Sequence, residues 1–472
     1  VPPSPKAIHC GLTYSTASSD RVPRCQHEPP LPFLFNSDLA LETIMTAQNT
    51  SRLQDLAVEV LKENDRGTYT VPTKGLYPFQ WNWDSCFTAL GQAHFDEDRA
   101  WTEIETLFAH QWPDGMVPHI VFHVHDEGYF PGADVWQTGR PTPTSGITQP
   151  AVAGFALRQL FERSKDRDAA ERRARTLLPK AEKWSAWFYA NRDPKGQGLV
   201  AILHPWEAGR DNSIDWDEAF ERVPTEGIAP YTRRDTQHAD PAHRPTKAQY
   251  DRYLWLVEHF RGLGWDNSKL HDASPFQIVD PGFNAILIRG CQDLAVVAEA
   301  LGETELATRN RARANKGLAA LEQLWSDTHG QYLCLDRVTG TLVDSASIGG
   351  LIPVFAAIPP ERAKAIGAVI QRQAERLKYI VASHDPADER FDAKRYWRGP
   401  VWLVCNYLIV DGLQAAGETA VAEMITRSSL ELIEQSGFAE YYDPTTGEAC
   451  GGGRFTWTAA MVLEFLASRG RG

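Results

Sequence analysis

Apolar residues recur at every third or fourth position along most of the chain, which is the pattern of amphipathic helices. The first such stretch covers 36–64, where Asn36 or Ser37 is suited to cap the start. Gly or Pro stands at nearly every junction between the later stretches. These later helices are predicted over 83–95, 98–111, 147–164, 170–193, 246–264, 282–302, 304–327, 345–358, 360–377, 400–417, 419–437 and 455–470. The chain is therefore expected to be all-α, with few strands.

Two architectures accommodate a long run of tandem helices. A solenoid would show a consensus recurring at a period of roughly 34–47 residues, and the sequence has none. Several connections are instead long, aromatic and charged, which is typical of functional loops. They cover 111–146, 192–245, 380–400 and 436–454. We therefore predict a closed toroid of two concentric helix rings, with its long loops crowded over a central pocket.

The domain organisation follows from the same pattern. Residues 1–36 are rich in Pro and Ser and show no period, so they are expected to form an irregular N-terminal arm. Residues 37–472 are expected to form a single domain, with loop insertions near 111–146 and 192–245. A chain of this length exceeds the usual range for one domain, but large closed folds run longer as one unit.

Composition narrows the classes of partner. The net charge of -13 argues against a nucleic-acid partner, which would require a basic face. No run approaches the roughly 18 apolar residues of a membrane span, so no membrane partner is expected. A small neutral or sugar-like molecule fits better. The chain shows no leader at Val1, so the cytoplasm is the expected location. Assembly into a homo-oligomer stays open.

Cysteine and histidine spacing gives no sign of a metal or other cofactor. The seven cysteines are scattered without a paired motif, although a bridge between Cys10 and Cys25 stays open. His123 and His125 alternate in "VFHVH", but no carboxylate pattern accompanies them. We expect no metal site there, and His119 is the favoured site histidine.

Five segments at helix ends share Trp, Tyr, acidic and amide side chains. They are 76–87, 114–132, 204–216, 394–402 and 437–457. Any one Trp is more often a core residue, but the repetition favours a binding site. Pyranose rings stack on aromatic faces while their hydroxyls need planar hydrogen-bonding partners. The segments therefore predict a sugar site.

Two carboxylates are needed to hydrolyse a glycosidic bond. Asp211 lies in a turn-like segment between Trp206 and Trp216, where desolvation would raise its pKa and suit it to act as general acid. Glu440, which precedes two tyrosines and a Gly-rich loop, is the best second candidate. Asp84 is its rival and would also suit a fixed carboxylate that binds a hydroxyl.

The remaining charges around Asp211 have simpler interpretations. Asp215, Asp217 and Glu218 are expected to be solvated acids in the first turn of a helix. Glu207 is expected to bind a hydroxyl or to position the turn. Arg210 is placed to pair with an acid on either side.

Nine ordered segments resemble a known family. They are "WNWDSCF", "GMVPHIVF", "GYFPG", "SGITQP", "WEAGRDNS", "YDRYLWL", "YWRGPVW", "FAEYYDPTTGE" and "WTAA". They are similar, in order, to segments of the glucosylglycerate and mannosylglycerate hydrolases of glycoside hydrolase family 63, a family related to trehalases. The resemblance covers roughly residues 50–468.

The resemblance implies an (α/α)6 barrel and hydrolysis with inversion, with Asp211 as general acid and Glu440 as general base. It implies that the sugar subsite contains Trp83, Asp84, Trp206, Gly209, Trp397 and Trp402. It implies that the glycerate end contains Tyr77, Trp81, His119, Tyr129, Gln149 and Tyr250.

The chain departs from the family pattern at Arg454-Phe455, where the glucosylglycerate hydrolases carry a glutamine-rich segment. Arg454 is suited to bind a carboxylate through two parallel hydrogen bonds. The leading hypothesis is an inverting α-glycosidase that acts on glucosylglycerate or mannosylglycerate. The alternatives are a trehalase-like hydrolase of a neutral disaccharide and a non-catalytic helical toroid that binds sugar.

Overall fold

Most of the predicted helices begin and end within a few residues of the positions that the hydrophobic pattern predicts, although the one predicted over 147–164 begins at Ala153 and the one predicted over 304–327 ends at Leu321. This computed structural model describes residues 47–234 and 240–469. Its α-helices are α1 (Ala47–Asn64), α2 (Asn82–Gln92), α3 (Glu97–Ala109), α4 (Ala133–Trp136), α5 (Ala153–Arg163), α6 (Arg167–Arg192), α7 (Asp217–Phe220), α8 (Lys247–Gly262), α9 (Asn267–Ala273), α10 (Pro281–Ala300), α11 (Thr304–Leu321), α12 (Pro360–Ala374), α13 (Leu403–Ala415), α14 (Thr419–Ser436) and α15 (Thr456–Arg469). The predicted arm, the start predicted at Asn36 or Ser37, and the pair Cys10 and Cys25 lie outside these residues.

Side chains at the helix starts explain several of these boundaries. Asp96 accepts a hydrogen bond from the backbone N–H of Arg99 at the start of α3. Thr246 and Gln249 form a reciprocal capping box at the start of α8. Asp280 accepts a backbone N–H at the start of α10. Each cap satisfies a donor that the first helical turn leaves without an intrahelical partner, so these boundaries are encoded locally.

Short antiparallel ladders connect the loops between the helices. The strands are β1 (Gln80–Trp81), β2 (Ile120–Val121), β3 (Ile278–Val279), β4 (Trp325–Ser326), β5 (Gln331–Tyr332), β6 (Leu335–Asp336), β7 (Thr341–Leu342), β8 (Tyr441–Tyr442) and β9 (Ala449–Cys450). β1 pairs with β2, with Trp81 opposite Ile120. β8 pairs with β9, with Tyr441 opposite Cys450. The first ladder ties the 111–146 loop to the start of α2, and the second forms a hairpin directly after Glu440.

The helices of the unit that begins at Gln48 form two concentric rings. Helices α2, α5, α10, α13 and α15 line the inner ring, and α15 packs against α2 to close it. A side chain at Gly91 of α2 would place its Cβ 2.6 Å from the Cα atom of Ala460, so only glycine allows this close approach. Helices α3, α6, α11, α12 and α14 pack outside their inner neighbours. The predicted all-α toroid is confirmed.

One inner-ring position differs from the prediction. The pattern predicts a helix over 345–358, whereas the structure has 3₁₀ turns over Ile348–Gly350 and Ile352–Ala356, which lie between α10 and α13. A Cβ atom at Gly350 would lie 2.0 Å from the carbonyl oxygen that ends β5. Tight packing therefore requires glycine here, and glycine disfavours a regular helix. The helix prediction is wrong for this segment.

The helices were also compared with the length and apolarity of a membrane span. None of those in residues 47–234 and 240–469 combines the length and the apolarity that a bilayer crossing requires.

Candidate active site

One cavity collects residues from all five aromatic and acidic segments. Its empty space measures about 820 Å³ with the open mouth included. Of the residues predicted from sequence, the following line it: Tyr77, Trp81, Trp83, Asp84, His119, Tyr129, Gln149, Trp206, Gly209, Asp211, Tyr250 and Glu440. The segments therefore converge in space, as the sugar-site hypothesis requires.

Asp211 is presented by a tight turn. A 3₁₀ turn over Pro205–Ala208 ends at Gly209, whose φ of 69° favours glycine. A Cβ atom at Gly209 would also lie 2.6 Å from the ring of Trp83. The backbone carbonyl of Asp211 accepts hydrogen bonds from the indole of Trp216 at 3.0 Å and the hydroxyl of Tyr253 at 2.8 Å. The turn is held through its backbone, while Asp211 itself stays half-buried at the cavity.

A buried ion cluster supports this turn from behind. Arg210 pairs with Asp215 and Asp280, each at 2.9 Å, and all three side chains are almost fully buried. The hydroxyls of Ser345 and Ser347 each donate to Asp215 at 2.6 Å. Burial alone would raise the pKa of Asp215, but Arg210 and the two hydroxyls outweigh it and the pKa lies below its ordinary value. The expectation that Asp215 is solvated is therefore wrong.

The other acids near Asp211 lie in different environments. Glu207 forms a buried ion pair with Arg192 at 2.7 Å and accepts the backbone N–H of Leu203, so it positions the turn. Asp217 is half-buried and pairs with Arg398, while Glu218 is exposed.

Glu440 is buried and held by several donors. Its Oε1 accepts hydrogen bonds from the hydroxyls of Tyr77 at 3.0 Å and Tyr396 at 3.3 Å. Its Oε2 accepts the backbone N–H of Gly452 at 2.9 Å. Burial raises the pKa of Glu440 above its ordinary value, although Arg244, Gly452 and the two tyrosines oppose the increase. The carboxyl group is therefore oriented and is a stronger base than an exposed glutamate.

Arg244 is a cavity residue that the sequence did not indicate. Its side chain is 7% exposed, and its Nη1 lies 3.9 Å from Oε1 of Glu440. Its Nη2 donates to the hydroxyl of Tyr77 at 3.2 Å, and its guanidinium lies 4.2 Å from the ring centre of Tyr396. The residue comes from a polar loop that also contains Arg233 and Arg234, and no sequence pattern distinguishes it from them.

The predicted pair Trp397 and Trp402 lies behind the cavity. The two rings are stacked at 3.8 Å, are at most 1% exposed and do not line the cavity. The indole of Trp402 donates to the backbone carbonyl of Tyr396, which does line the cavity. The segment 394–402 thus contributes Tyr396 to the cavity surface, and its two tryptophans support that residue from behind. Other aromatic lining residues that the prediction missed are Phe130, Trp136, Tyr253, Phe455 and Trp457.

Two further predicted residues complete the inner wall. Asp84 lies in the first turn of α2, and burial raises its pKa well above the ordinary value. Gln149 accepts the backbone N–H of Trp83 through its side-chain oxygen at 3.2 Å. Asp84 is therefore a third carboxyl group at the cavity.

Arg454 does not line the cavity. Its guanidinium pairs with Glu59 and Glu63 of α1, and its side chain is 43% exposed. The carboxylate-binding role predicted for it is therefore not supported, because its charge is already used at the surface.

The three histidines singled out in the sequence, His119, His123 and His125, lie in different environments. Burial lowers the pKa of His119 to about 3, so its imidazole lines the cavity in the neutral form. His123 bonds the side chain of Gln80 at 2.8 Å, and His125 is exposed. In the part of the chain that the structure describes, no three His, Cys, Asp or Glu side chains form a group that could hold a metal ion.

A helical toroid that gathers carboxyl groups and aromatic faces in one small cavity is the arrangement of a glycoside hydrolase. The family model of the mannosylglycerate hydrolase MGH1-like glycoside hydrolase domain matches residues 77–458. The chain belongs to this family.

The relatives extend over most of the chain. The mannosylglycerate hydrolase MGH1 of Selaginella moellendorffii is 46% identical over 86% of this chain and 84% of its own length. The glucosylglycerate hydrolase of Mycolicibacterium hassiacum is 32% identical over 88% and 98%. The crystal structure of the GH63 mannosylglycerate hydrolase from Thermus thermophilus, in complex with Tris and D-glycerate, matches with a TM-score of 0.85 and 46% identity, covering 87% of this chain and 99% of that one.

Proposed function

We propose that this glycoside hydrolase cleaves mannosylglycerate to mannose and glycerate with inversion at the anomeric carbon. The observation that carries the proposal is the buried guanidinium of Arg244 at the cavity, beside Tyr77. A guanidinium is suited to bind a carboxylate through two parallel hydrogen bonds, and a neutral leaving group would make no use of its charge. The mannosylglycerate hydrolases at 46% identity favour manno over gluco, because the glucosylglycerate hydrolase is 32% identical.

The two catalytic roles follow from the chemistry of the site. Asp211 donates a proton to the glycosidic oxygen as the bond to the anomeric carbon breaks. Glu440 takes a proton from the water that attacks the same carbon from the opposite face. A base must be ionised and oriented, and the three donors on Glu440 supply both conditions.

The remaining lining residues divide between the two halves of the substrate. Trp83 and Trp206 offer faces to the sugar ring, and Asp84 offers a carboxyl group to its hydroxyls. Arg244 is the donor suited to the glycerate carboxylate, beside Tyr77, whose hydroxyl donates to Glu440 and accepts from Arg244.

The test compares charged and neutral leaving groups. Release of free sugar is measured from mannosylglycerate, glucosylglycerate, mannosylglycerol and trehalose. We expect kcat/KM on mannosylglycerate to exceed that on mannosylglycerol at least about tenfold, because donors arranged for an anion are otherwise left poorly paired. Arg244→Gln should narrow this gap. Arg454→Ala, which alters a surface arginine, should leave it unchanged.

The other outcomes discriminate between the alternatives. Equal rates on mannosylglycerate and mannosylglycerol would refute recognition of glycerate. A preference for trehalose would identify a trehalase-like hydrolase. Binding of these glycosides without any release of sugar would identify a non-catalytic toroid.

A further inference from the structure

Arg244 contacts every side chain that bonds Oε1 of Glu440. That oxygen accepts from the hydroxyls of Tyr77 and Tyr396, at 3.0 and 3.3 Å. Arg244 in turn donates to the hydroxyl of Tyr77, lies over the ring of Tyr396, and approaches Oε1 itself at 3.9 Å. The guanidinium and the base thus belong to one cluster at the cavity, in which the two charged side chains are 7% and 1% exposed.

Such a cation weakens the base that it faces. An opposite charge within about 4–6 Å favours the ionised form of a carboxyl group and so reduces its affinity for a proton. The effect is greater in a buried site than in water, because the surroundings screen less. In the unliganded enzyme, Arg244 therefore keeps Glu440 ionised and a weaker proton acceptor than its burial alone would make it.

We propose that Arg244 couples recognition of the leaving group's carboxylate to the strength of the general base. The inference rests on the proposed function, because it takes the substrate anion to bind Arg244. When that anion pairs with the guanidinium, the cation attracts Glu440 less, and Glu440 accepts the proton of the attacking water more readily. A neutral leaving group leaves the attraction in place. Arg244 thereby acts as a specificity-determining residue in kcat as well as in binding.

The other ionisable groups around Glu440 behave differently. Burial raises the pKa of Tyr77 and Tyr396 well above their ordinary value, so both remain neutral donors. The pKa of Tyr441, which lies beside Arg244, is raised as well. Asp211 lines the same cavity. Asp84, whose pKa burial also raises, is the group most able to imitate Glu440 in a pH profile.

The first test measures protons taken up when an anion binds. By linkage, an anion that raises the proton affinity of Glu440 must bind with uptake of protons. D-glycerate is titrated into the enzyme by calorimetry in buffers of different ionisation enthalpy, at pH values near the acid limb of activity. We expect proton uptake by the wild type and by the matched surface variant Arg175→Gln. Uptake should be lost in Glu440→Gln.

Three outcomes of the glycerate titration would contradict the proposal. Glycerate binding without proton uptake would refute it. Uptake that persists in Glu440→Gln would assign the proton to another group, with Asp84 the first to examine. Failure of glycerate to bind would refute the proposed function together with this use of its carboxylate.

A second test does not depend on glycerate. With 4-nitrophenyl α-mannoside, a neutral substrate, the acid limb of kcat/KM should move up by roughly one pH unit in Arg244→Gln. It should stay in place in Arg244→Lys, which keeps the charge, and in Arg175→Gln. An unmoved limb in Arg244→Gln would show that Arg244 does not control Glu440, even if mannosylglycerate is the substrate.

Discussion

Glu440 experiences two opposing influences on its carboxyl group. Burial favours the protonated form, while two tyrosine hydroxyls, a backbone N–H and Arg244 favour the ionised form. The balance leaves its pKa above the ordinary value. A base of this kind combines an ionised ground state with greater basicity than an exposed glutamate.

At the scale of single residues, the catalytic roles of Asp211 and Glu440 can be tested directly. Asp211→Asn and Glu440→Gln each remove a proton-transfer role with little change of volume, so kcat should fall by several orders of magnitude while the fold persists. Steady-state kinetics and circular dichroism measure the two effects. A variant that keeps more than about a tenth of the wild-type activity would remove that residue from the pair.

The raised pKa of Glu440 predicts the acid side of the pH profile. The base must be ionised, so activity falls as the pH drops through its pKa, which is above the ordinary range for glutamate. Tyr396 donates a hydrogen bond that lowers this pKa. Tyr396→Phe should therefore move the acid limb of kcat/KM to higher pH. A limb at or below the pH of an ordinary glutamate, or one that moves down in the variant, would contradict this description of the site.

At the scale of elements, the turn that carries Asp211 depends on the ion cluster beneath it. Asp215→Asn leaves Arg210 with only one of its two carboxylate partners, Asp280, in a buried position. Removing one partner of a buried ion pair costs roughly 3–5 kcal/mol in the free energy of unfolding when the other charge is left unpaired. The loss in Asp215→Asn should be smaller, about 2 kcal/mol, because Asp280 still pairs with Arg210. Urea denaturation should show a loss of that order. Glu171→Gln, which breaks an exposed pair with Arg175 on α6, should cost under about 1 kcal/mol.

A small loss in Asp215→Asn, comparable to that in Glu171→Gln, would mean that the cluster does not hold the turn. The sequence places Asp215 beside the turn, but we predicted from it that this acid would be solvated. Asp280, the second partner of Arg210, caps the distant helix α10, and local pattern cannot reveal a partner so far along the chain.

Trp397 and Trp402 show the same limit of prediction from sequence in another segment. Each of the five aromatic segments contributes at least one residue to the cavity. Within 394–402, Trp397 and Trp402 stack behind the cavity while Tyr396 reaches it. Composition identifies the segment, but only the backbone path through it decides which ring faces the substrate.

At the scale of the whole molecule, ring closure brings Asp211 and Glu440 to one cavity from distant parts of the chain. An inverting enzyme needs room for water between the base and the anomeric carbon, so the two carboxyl groups should lie roughly 6.5–9.5 Å apart. The first product from an α-mannoside should then be the β-anomer, as followed by proton NMR during the first turnovers. An α-anomer as first product would refute inversion.

The sequence by itself determined most of the helices, the all-α toroid and the five segments that contribute to the cavity, together with Asp211 and Glu440 as the candidate pair. The hydrophobic period and the clusters of aromatic and acidic side chains are local and readable over a few turns, while the toroid was inferred from the long loops and the missing repeat. Only the tertiary structure decided that Arg244 reaches Glu440, that Arg454 pairs with α1 at the surface, and that Asp215 is buried. Those outcomes depend on which distant side chains meet. Burial and pairing of a charge are properties of that encounter, and no local pattern encodes them.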